Sequence, residues 1–370
     1  MITVFTPSFA DENNANAQNL TVKEVVARLD PSRFRVLMLA SDRPYNRIAN
    51  RPNTEIIRWG KHANSARVLL RLLRRPPDVY FFPREGPLDA GFLRIRRRLA
   101  LRTALVTYVV SGALEEKSAV DRPLLWRAVR ECDVLAANSR FMSETVRKLF
   151  GIEHVHTVYD GIDRRYYFPR VEPNNDSGPK RVLFAGSFRA YKRADLVVQQ
   201  AAKFRQWEFR LAGTGEEEVA CRKLAREADC GNVHFLGHLS AAQLGEEMRQ
   251  AQIFFFPSEI EGHPQVLGQA AACGLPCIAR RSYDPDYVVD GLSGLLGDSD
   301  DDLSAALERL MCDEELRTKM SGAAVKHAAK FEWDDIAKQW GAIMEKAMVE
   351  RANHRYRGQR EENRRCENQR

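Results

Sequence analysis

The sequence predicts an α/β protein made of two doubly wound halves. Three observations carry this. Apolar strands alternate with helical segments along the chain; the alternation breaks once, in a Pro/Asn/Asp/Gly-rich stretch, PRVEPNNDSGPK, at 169–180; and 370 residues suit two domains of roughly 100–200 residues each. Such alternation implies parallel strands with crossover helices on both faces of each sheet.

The elements follow in order. In the first half, Ile2–Pro7 reads as a buried strand, Thr21–Leu29 as a helix and Phe34–Ala40 as the next strand. Arg67–Arg75 is a short helix that stops at Pro76-Pro77, because proline cannot continue it. Asp78–Pro83 is a strand, Phe92–Arg102 a helix and Ala104–Val110 a strand. A helix closes at Arg127–Arg130, strand Asp133–Ser139 follows, and Ser143–Gly151 is helical. The stretch 169–180 reads as a linker between a first domain, 1–168, and a second, 181–332.

After the linker, strands are expected at Arg181–Ser187, Glu208–Gly215, Val233–Gly237, Ile253–Ser258 and Gly274–Arg280. Helices lie between them at Ala194–Phe204, Glu216–Ala228 and Ser240–Ala251, with others across Ser304–Phe331. A last helix starts at Trp333 and is placed at 333–350, before a basic tail, 351–370, expected to be disordered. Open parallel sheets bind ligands beyond the carboxyl ends of their strands, so two such sheets place a site in the cleft between them.

Composition excludes several classes. Apolar residues are 44% and charged residues 29%, as in soluble globular proteins. No run of about 18 apolar residues marks a spanning helix, and MITVFTPSFADENN lacks the features of a signal peptide, so a cytoplasmic protein is expected. Seven scattered cysteines argue against a disulfide framework and for a reducing compartment. Cys273 and Cys277 have no second Cys/His pair at ligand spacing and read as buried small hydrophobes; no metal is expected. The net charge of +7 is concentrated at Arg67/Arg71/Arg74/Arg75, at Arg94/Arg96/Arg97/Arg98/Arg102 and in the tail. In Phe92–Arg102 the apolar and basic residues take separate faces, which describes either a solvated amphipathic helix or one docked on anionic lipid. Aromatic residues able to stack bases are not interleaved with these arginines, so nucleic acid is not expected as a partner.

The loop after the first strand, FADENNANAQN, carries no G-x-G-x-x-G, and the chain has no G-x-x-x-x-G-K-[ST]; both absences argue against dinucleotide and triphosphate sites. The chemistry concentrates in the second half. LFAGSFRAYKR places Gly186 at a strand end, where a ligand can approach the backbone, followed by Arg189, Lys192 and Arg193 before a helix. Such a lysine neutralises a phosphate or simply solvates a helix start. In SEIEGHPQVLGQAAACGLP, Glu261 stands at the mouth of a helix beginning near Gln265. Pro264 is placed at the first helical position, the amides that follow form an anion site, and Gln269 lies two turns in. Glu261 and Gln269 suit the hydroxyls of a sugar.

SEIEGHPQVLGQAAACGLP resembles the donor-binding signature of the family 4 glycosyltransferases. YDGIDRRYYFP, AGSFRAYKR, LAGTGEE, VHFLGHLS, FFFPSEIEG, VVDGLSGLL and FEWDDIAKQW follow in that family's order. The resemblance implies two facing Rossmann-like domains (the GT-B fold), with the last helix crossing back to the first domain. It implies transfer of a sugar, with retention and without metal or other cofactor, from a nucleotide-diphosphate donor to a glycan or lipid-linked acceptor in cell-surface polysaccharide, glycolipid or glycoconjugate synthesis. Glu261 and Lys192 take the catalytic places, Glu261 on the transferred sugar and Lys192 on the diphosphate. Gly186, Ser187, Arg189, Gly262, His263, Pro264, Gln265, Val266 and Gln269 complete the donor site, and Asn14, Asn16, Ser111 and Gly112 fall on the acceptor side.

The chain also departs from the pattern. Gln269 replaces a glutamate, Ser187 stands where arginine is frequent, with Arg189 or Arg193 as its substitute, and Asp160 stands where asparagine is usual. Ser111-Gly112 replaces a His-Gly pair. These departures keep a weakly active or purely binding relative in view, beside an epimerase of the same architecture. The arginine helices imply a peripheral position at the inner membrane face, where a lipid-linked acceptor waits.

Overall fold

The computed structural model describes residues 1–12, 17–60, 64–83, 85–110, 122–170 and 178–367. Most of the linker falls outside them, as do Asn14, Asn16, Ser111 and Gly112, the expected acceptor-side residues.

The first sheet is parallel, with order β3-β2-β1-β4-β5-β6-β7. Its strands are β1 (Ile2–Phe9), β2 (Phe34–Ala40), β3 (Thr54–Arg58), β4 (Val79–Phe81), β5 (Ala104–Val109), β6 (Val134–Ala137) and β7 (Val155–Thr157). They alternate with α1 (Ala17–Arg28), α2 (Asn46–Ala49), α3 (Asn64–Arg74), α4 (Pro87–Arg98), α5 (Pro123–Glu131) and α6 (Arg140–Phe150). The second sheet is also parallel, with order β10-β9-β8-β11-β12-β13. It contains β8 (Arg181–Ala185), β9 (Glu208–Ala212), β10 (Val233–Gly237), β11 (Ile253–Phe256), β12 (Cys277–Arg280) and β13 (Gly294–Gly297). Its helices are α7 (Ala194–Lys203), α8 (Glu218–Glu227), α9 (Ala241–Gln250), α10 (Gln265–Ala272), α11 (Asp300–Cys312) and α12 (Glu314–Ala328). The strand order reverses at β1/β4 and at β8/β11, and each reversal opens a crevice at the carboxyl edge of its sheet.

Burial explains the strands. Phe254, Phe255, Phe256, Ile278 and Ala279 in the middle of the second sheet are fully buried on both faces, so they need no polar alternation. The first sheet is covered on one side by α3 and α4, through Val68, Leu72, Leu88, Phe92 and Leu93. Its other side is covered by α1 and by α13 (Trp333–Glu367). Trp340 of α13 is fully buried, with its ring 5.0 Å from Phe81 and 4.8 Å from Tyr108.

The chain crosses between the sheets twice, side by side. Ile162 and Glu332 form a parallel bridge, and Ile162 N–H donates to the Phe331 carbonyl (2.8 Å). Gly161 is required there, because a Cβ would lie 2.3 Å from the Trp333 ring. At the same crossing Asp160 is wholly buried and accepts from Thr21 (2.6 Å), Tyr108 (3.2 Å) and Asn138 (3.4 Å). Burial raises its carboxyl above the ordinary range and these donors oppose the rise.

Two expectations are corrected. The crossover helix does not end at 350 before a disordered tail: α13 is one helix through Glu367. The segment contains no proline and is rich in Glu, Arg, Lys, Gln and Ala, which are strong helix formers. Arg351 anchors it by donating twice to the Leu101 carbonyl (3.0 and 2.7 Å). Pro264 precedes the first helical position and caps α10, which starts at Gln265.

Candidate functional site

The carboxyl ends of β8, β9, β10 and β11 converge on a cavity of about 480 Å³. It is lined by Gly186 and Ser187 after β8, by Gly213 and Thr214 after β9, and by His238 and Leu239 after β10. Phe256, Glu261 and the start of α10, with His263, Pro264, Gln265, Val266 and Gln269, form the remaining wall. Gly213 has φ +129°, and a Cβ there would sit 1.8 Å from the Gly186 carbonyl oxygen, so the two strand ends can close on each other only with glycine.

Lys192 reaches the cavity from the turn after β8 and forms an ion pair with Glu261. The Glu261 carboxylate also accepts from Ser258 Oγ (2.6 Å). The Lys192 ammonium lies 5.1 Å from the Phe256 ring centre and 5.4 Å from that of Tyr191, which adds cation–π attraction. The side chains are 14% and 13% exposed, so the pair is sheltered but open to the cavity.

The first turn of α10 supplies donors. His263, Gln265 and Val266 have backbone N–H groups with no partner among the described residues, whereas Leu267 N–H is satisfied by the Pro264 carbonyl (3.0 Å). Pro264 has no N–H, so its place in the wall is steric. Free amides, a helix dipole and a lysine together favour an anion. Gln269 adds no charge, so Lys192 and Glu261 balance each other within the wall.

The His263 ring is packed between aromatics, 4.1 Å from Tyr287 and 5.6 Å from Tyr159 between ring centres. Neither ring nitrogen has a partner among the described residues. Burial pushes its pKa down to about 3, so the imidazole is neutral at physiological pH. Cys273 and Cys277 are buried free thiols; burial pushes Cys273 up to about 12 and Cys277 higher still, so neither is a ready nucleophile. Among the described residues no three His, Cys, Asp or Glu side chains come together to hold a metal ion.

The structure thus gathers Gly186, Ser187, Lys192, Glu261, His263, Pro264, Gln265, Val266 and Gln269 around one space. Gly262 lies just behind it and is buried. Arg189 does not join them: it is exposed and lines a neighbouring groove with Arg193 and Glu217. Arg193, the other substitute for the family arginine, has positive φ and is held by Asp195 (3.1 Å), Glu259 (3.1 Å) and Asp300 (2.9 Å), so it fixes the loop. Gly213, Thr214, His238, Leu239 and Ser258 fall within motifs quoted from the sequence but were not singled out there as site residues. Their signal was positional, since each follows a strand that ends at the same sheet edge.

Two family models match the chain in tandem: one described as "Glycosyltransferase Family 4" over residues 2–166, and one described as "Glycosyl transferases group 1" over residues 169–327. Among curated relatives, a D-inositol 3-phosphate glycosyltransferase of Acidothermus cellulolyticus is 29% identical over 261 residues, covering 61% of this chain and 57% of that protein. An N-acetyl-alpha-D-glucosaminyl L-malate synthase of Bacillus anthracis is 29% identical over 230 residues, 58% of this chain and 60% of the relative. The matched stretch thus spans under two thirds of the length of these relatives. In fold, the chain is similar to the crystal structure of HepE from Anabaena in complex with UDP and glucose, with a TM-score of 0.74 at 16% identity over 93% of this chain and 99% of that one. With both halves matched in order and two facing parallel sheets, the chain belongs to the family 4 glycosyltransferases.

Proposed function

We propose that the protein transfers a sugar from a nucleoside diphosphate sugar to an acceptor hydroxyl, with retention at the anomeric carbon. The observation that carries the reading is the Lys192–Glu261 pair facing a cavity whose wall also offers the amides of His263, Gln265 and Val266. As the bond to the sugar breaks, negative charge grows on the departing diphosphate. Lys192 and the amides would stabilise that charge, with no step given to a metal. Glu261 accepts hydrogen bonds from sugar hydroxyls and orients the ring. The relative solved with UDP and glucose supports a nucleoside diphosphate sugar as donor. A glycan or lipid-linked acceptor in cell-surface synthesis completes the proposal.

The exposed arginines support peripheral docking on anionic lipid. Arg67, Arg74 and Arg75 on and after α3, and Arg94, Arg98 and Arg102 on and after α4, are all exposed, as are Leu70 (49%) and Leu99 (64%) among them. The last turns of both helices precede β4 and β5, at the sheet edge opposite the cavity. Arg74, Arg75, Arg98 and Arg102, at or just after those last turns, therefore suit an anchor on the membrane. No helix among the described residues is long and apolar enough to cross a membrane.

A thermal-shift screen of nucleoside diphosphate sugars tests the donor reading. A true donor at 100 times its dissociation constant stabilises by about 2.7 kcal/mol, and no shift with any nucleotide refutes the reading. Gln269 favours a second reading, a protein that binds donor without transferring it. That reading holds if the wild type binds donor but transfers to no acceptor while Gln269→Glu does.

A further inference from the structure

The loop that carries Glu261 is held by the other domain. Ser139 ends the turn after β6 and caps α6, its Oγ accepting from Met142 N–H (3.0 Å). The hydroxyl proton remains available, and it donates to the Gly262 carbonyl (2.9 Å) across the cleft, with both residues buried. We propose that Ser139 is a positioning residue: by holding the Gly262 carbonyl it aims the His263 N–H at the donor diphosphate. The inference rests on the donor-site reading above.

Peptide geometry supplies the mechanism. The Gly262–His263 peptide is trans, so its C=O and N–H point in opposite directions. Fixing the oxygen on the first domain turns the N–H away from that domain, and this N–H has no partner among the described residues. Glycine on one side of the peptide leaves its plane free to rotate, and Pro264 contributes no N–H to hold the loop. Adjacent contacts keep the two domains in register. Arg140, next to Ser139, pairs with Asp286 through its backbone N–H (3.0 Å) and its guanidinium (2.5 Å), and Tyr159 O–H donates to the same carboxylate (3.3 Å). Asp286 is followed by Tyr287, whose ring stacks on His263 at 4.1 Å and whose hydroxyl donates to the Asp160 carbonyl (2.7 Å). The donor site therefore has its full set of aimed amides only while the domains hold this arrangement.

The test uses Ser139→Gly, because glycine caps a helix nearly as well as serine while removing the hydroxymethyl side chain. Ser139→Thr restores the hydroxyl. Ser139→Asp is a second variant that keeps a cap acceptor but has no proton to donate. Inorganic pyrophosphate serves as the probe, followed by calorimetry and by the backbone cross-peaks of a sample labelled with 15N-histidine, eight in all. The wild type should bind pyrophosphate and shift the His263 N–H downfield. Ser139→Gly and Ser139→Asp should bind about tenfold more weakly, with the His263 shift lost and the signals of histidines outside the cavity unmoved, and Ser139→Thr should recover the wild-type result. A Ser139→Gly protein that binds within twofold of wild type and keeps the His263 shift overturns the role of Ser139 and leaves the donor site standing. Pyrophosphate that fails to bind the wild type, or binding that Lys192→Ala does not weaken, overturns the donor site and this inference with it.

Discussion

Replacing Lys192 with alanine should weaken donor binding by about two orders of magnitude, and the structure indicates why. The ammonium pairs with Glu261 at the cavity wall, and the two side chains are 14% and 13% exposed. Sheltered but not dry, the pair sits in surroundings with an effective dielectric constant of about 20, where a unit charge 5 Å from a phosphate is worth about 3 kcal/mol. Deleting the lysine removes that attraction. It also leaves Glu261 with Ser258 as its partner and a net negative wall facing an anion. About 3 kcal/mol corresponds to roughly a hundredfold in dissociation constant. Calorimetry with whichever nucleoside diphosphate gives the largest thermal shift would measure it. The double variant Lys192→Ala/Glu261→Gln should regain part of the loss, because the unpaired carboxylate is gone. A Lys192→Ala protein that binds within threefold of wild type, or a double variant weaker than the single one, would refute the electrostatic account.

Trp340→Ala should cost about 3–5 kcal/mol of stability by denaturant titration, since it empties a fully buried site between Phe81 and Tyr108. His263 should make stability depend on pH. Its folded pKa, about 3, lies below the ordinary value of 6.5, so the unfolded chain takes up a proton that the folded one excludes. The contribution is full above pH 6.5 and falls by about 1.4 kcal/mol per pH unit on acidification towards pH 3; His263→Phe should flatten that slope in urea titrations. Replacing Arg67, Arg74, Arg94 and Arg98 with glutamine should abolish flotation with acidic vesicles at low salt while leaving pyrophosphate binding unchanged; flotation indifferent to lipid charge would remove the anchor from the proposal.

Most of the architecture was legible because the central strands of both sheets are dominated by buried apolar residues. Ile253–Phe256 and Phe34–Ala40 could hardly be anything else. The strands missed were β3 (TEIIR), β7 (VHT) and β13 (GLLG), which lie at sheet edges and carry polar residues or glycine in place of an unbroken apolar run. The extent of α13 was missed because a charged, apolar-poor segment reads as disorder, although helix propensity and the Arg351–Leu101 contact carry it on. In the site, Lys192, Glu261 and Gln269 were legible from spacing. Arg189, expected at the donor site, instead lies exposed on the neighbouring groove, which residue type does not announce. Ser139 was invisible: 123 positions separate it from Gly262, and only the folded chain shows what its hydroxyl touches.

The paired crossings at Ile162 and Glu332 have a mechanical consequence. A body joined to another by one thread can swivel in any sense. Joined by two threads laced together at one edge, it swings like a door about the line they define. Motion that admits a substrate would then be greatest at the margin farthest from the lacing, and a side chain at Gly161, which would meet the Trp333 ring at 2.3 Å, should disrupt the lacing itself.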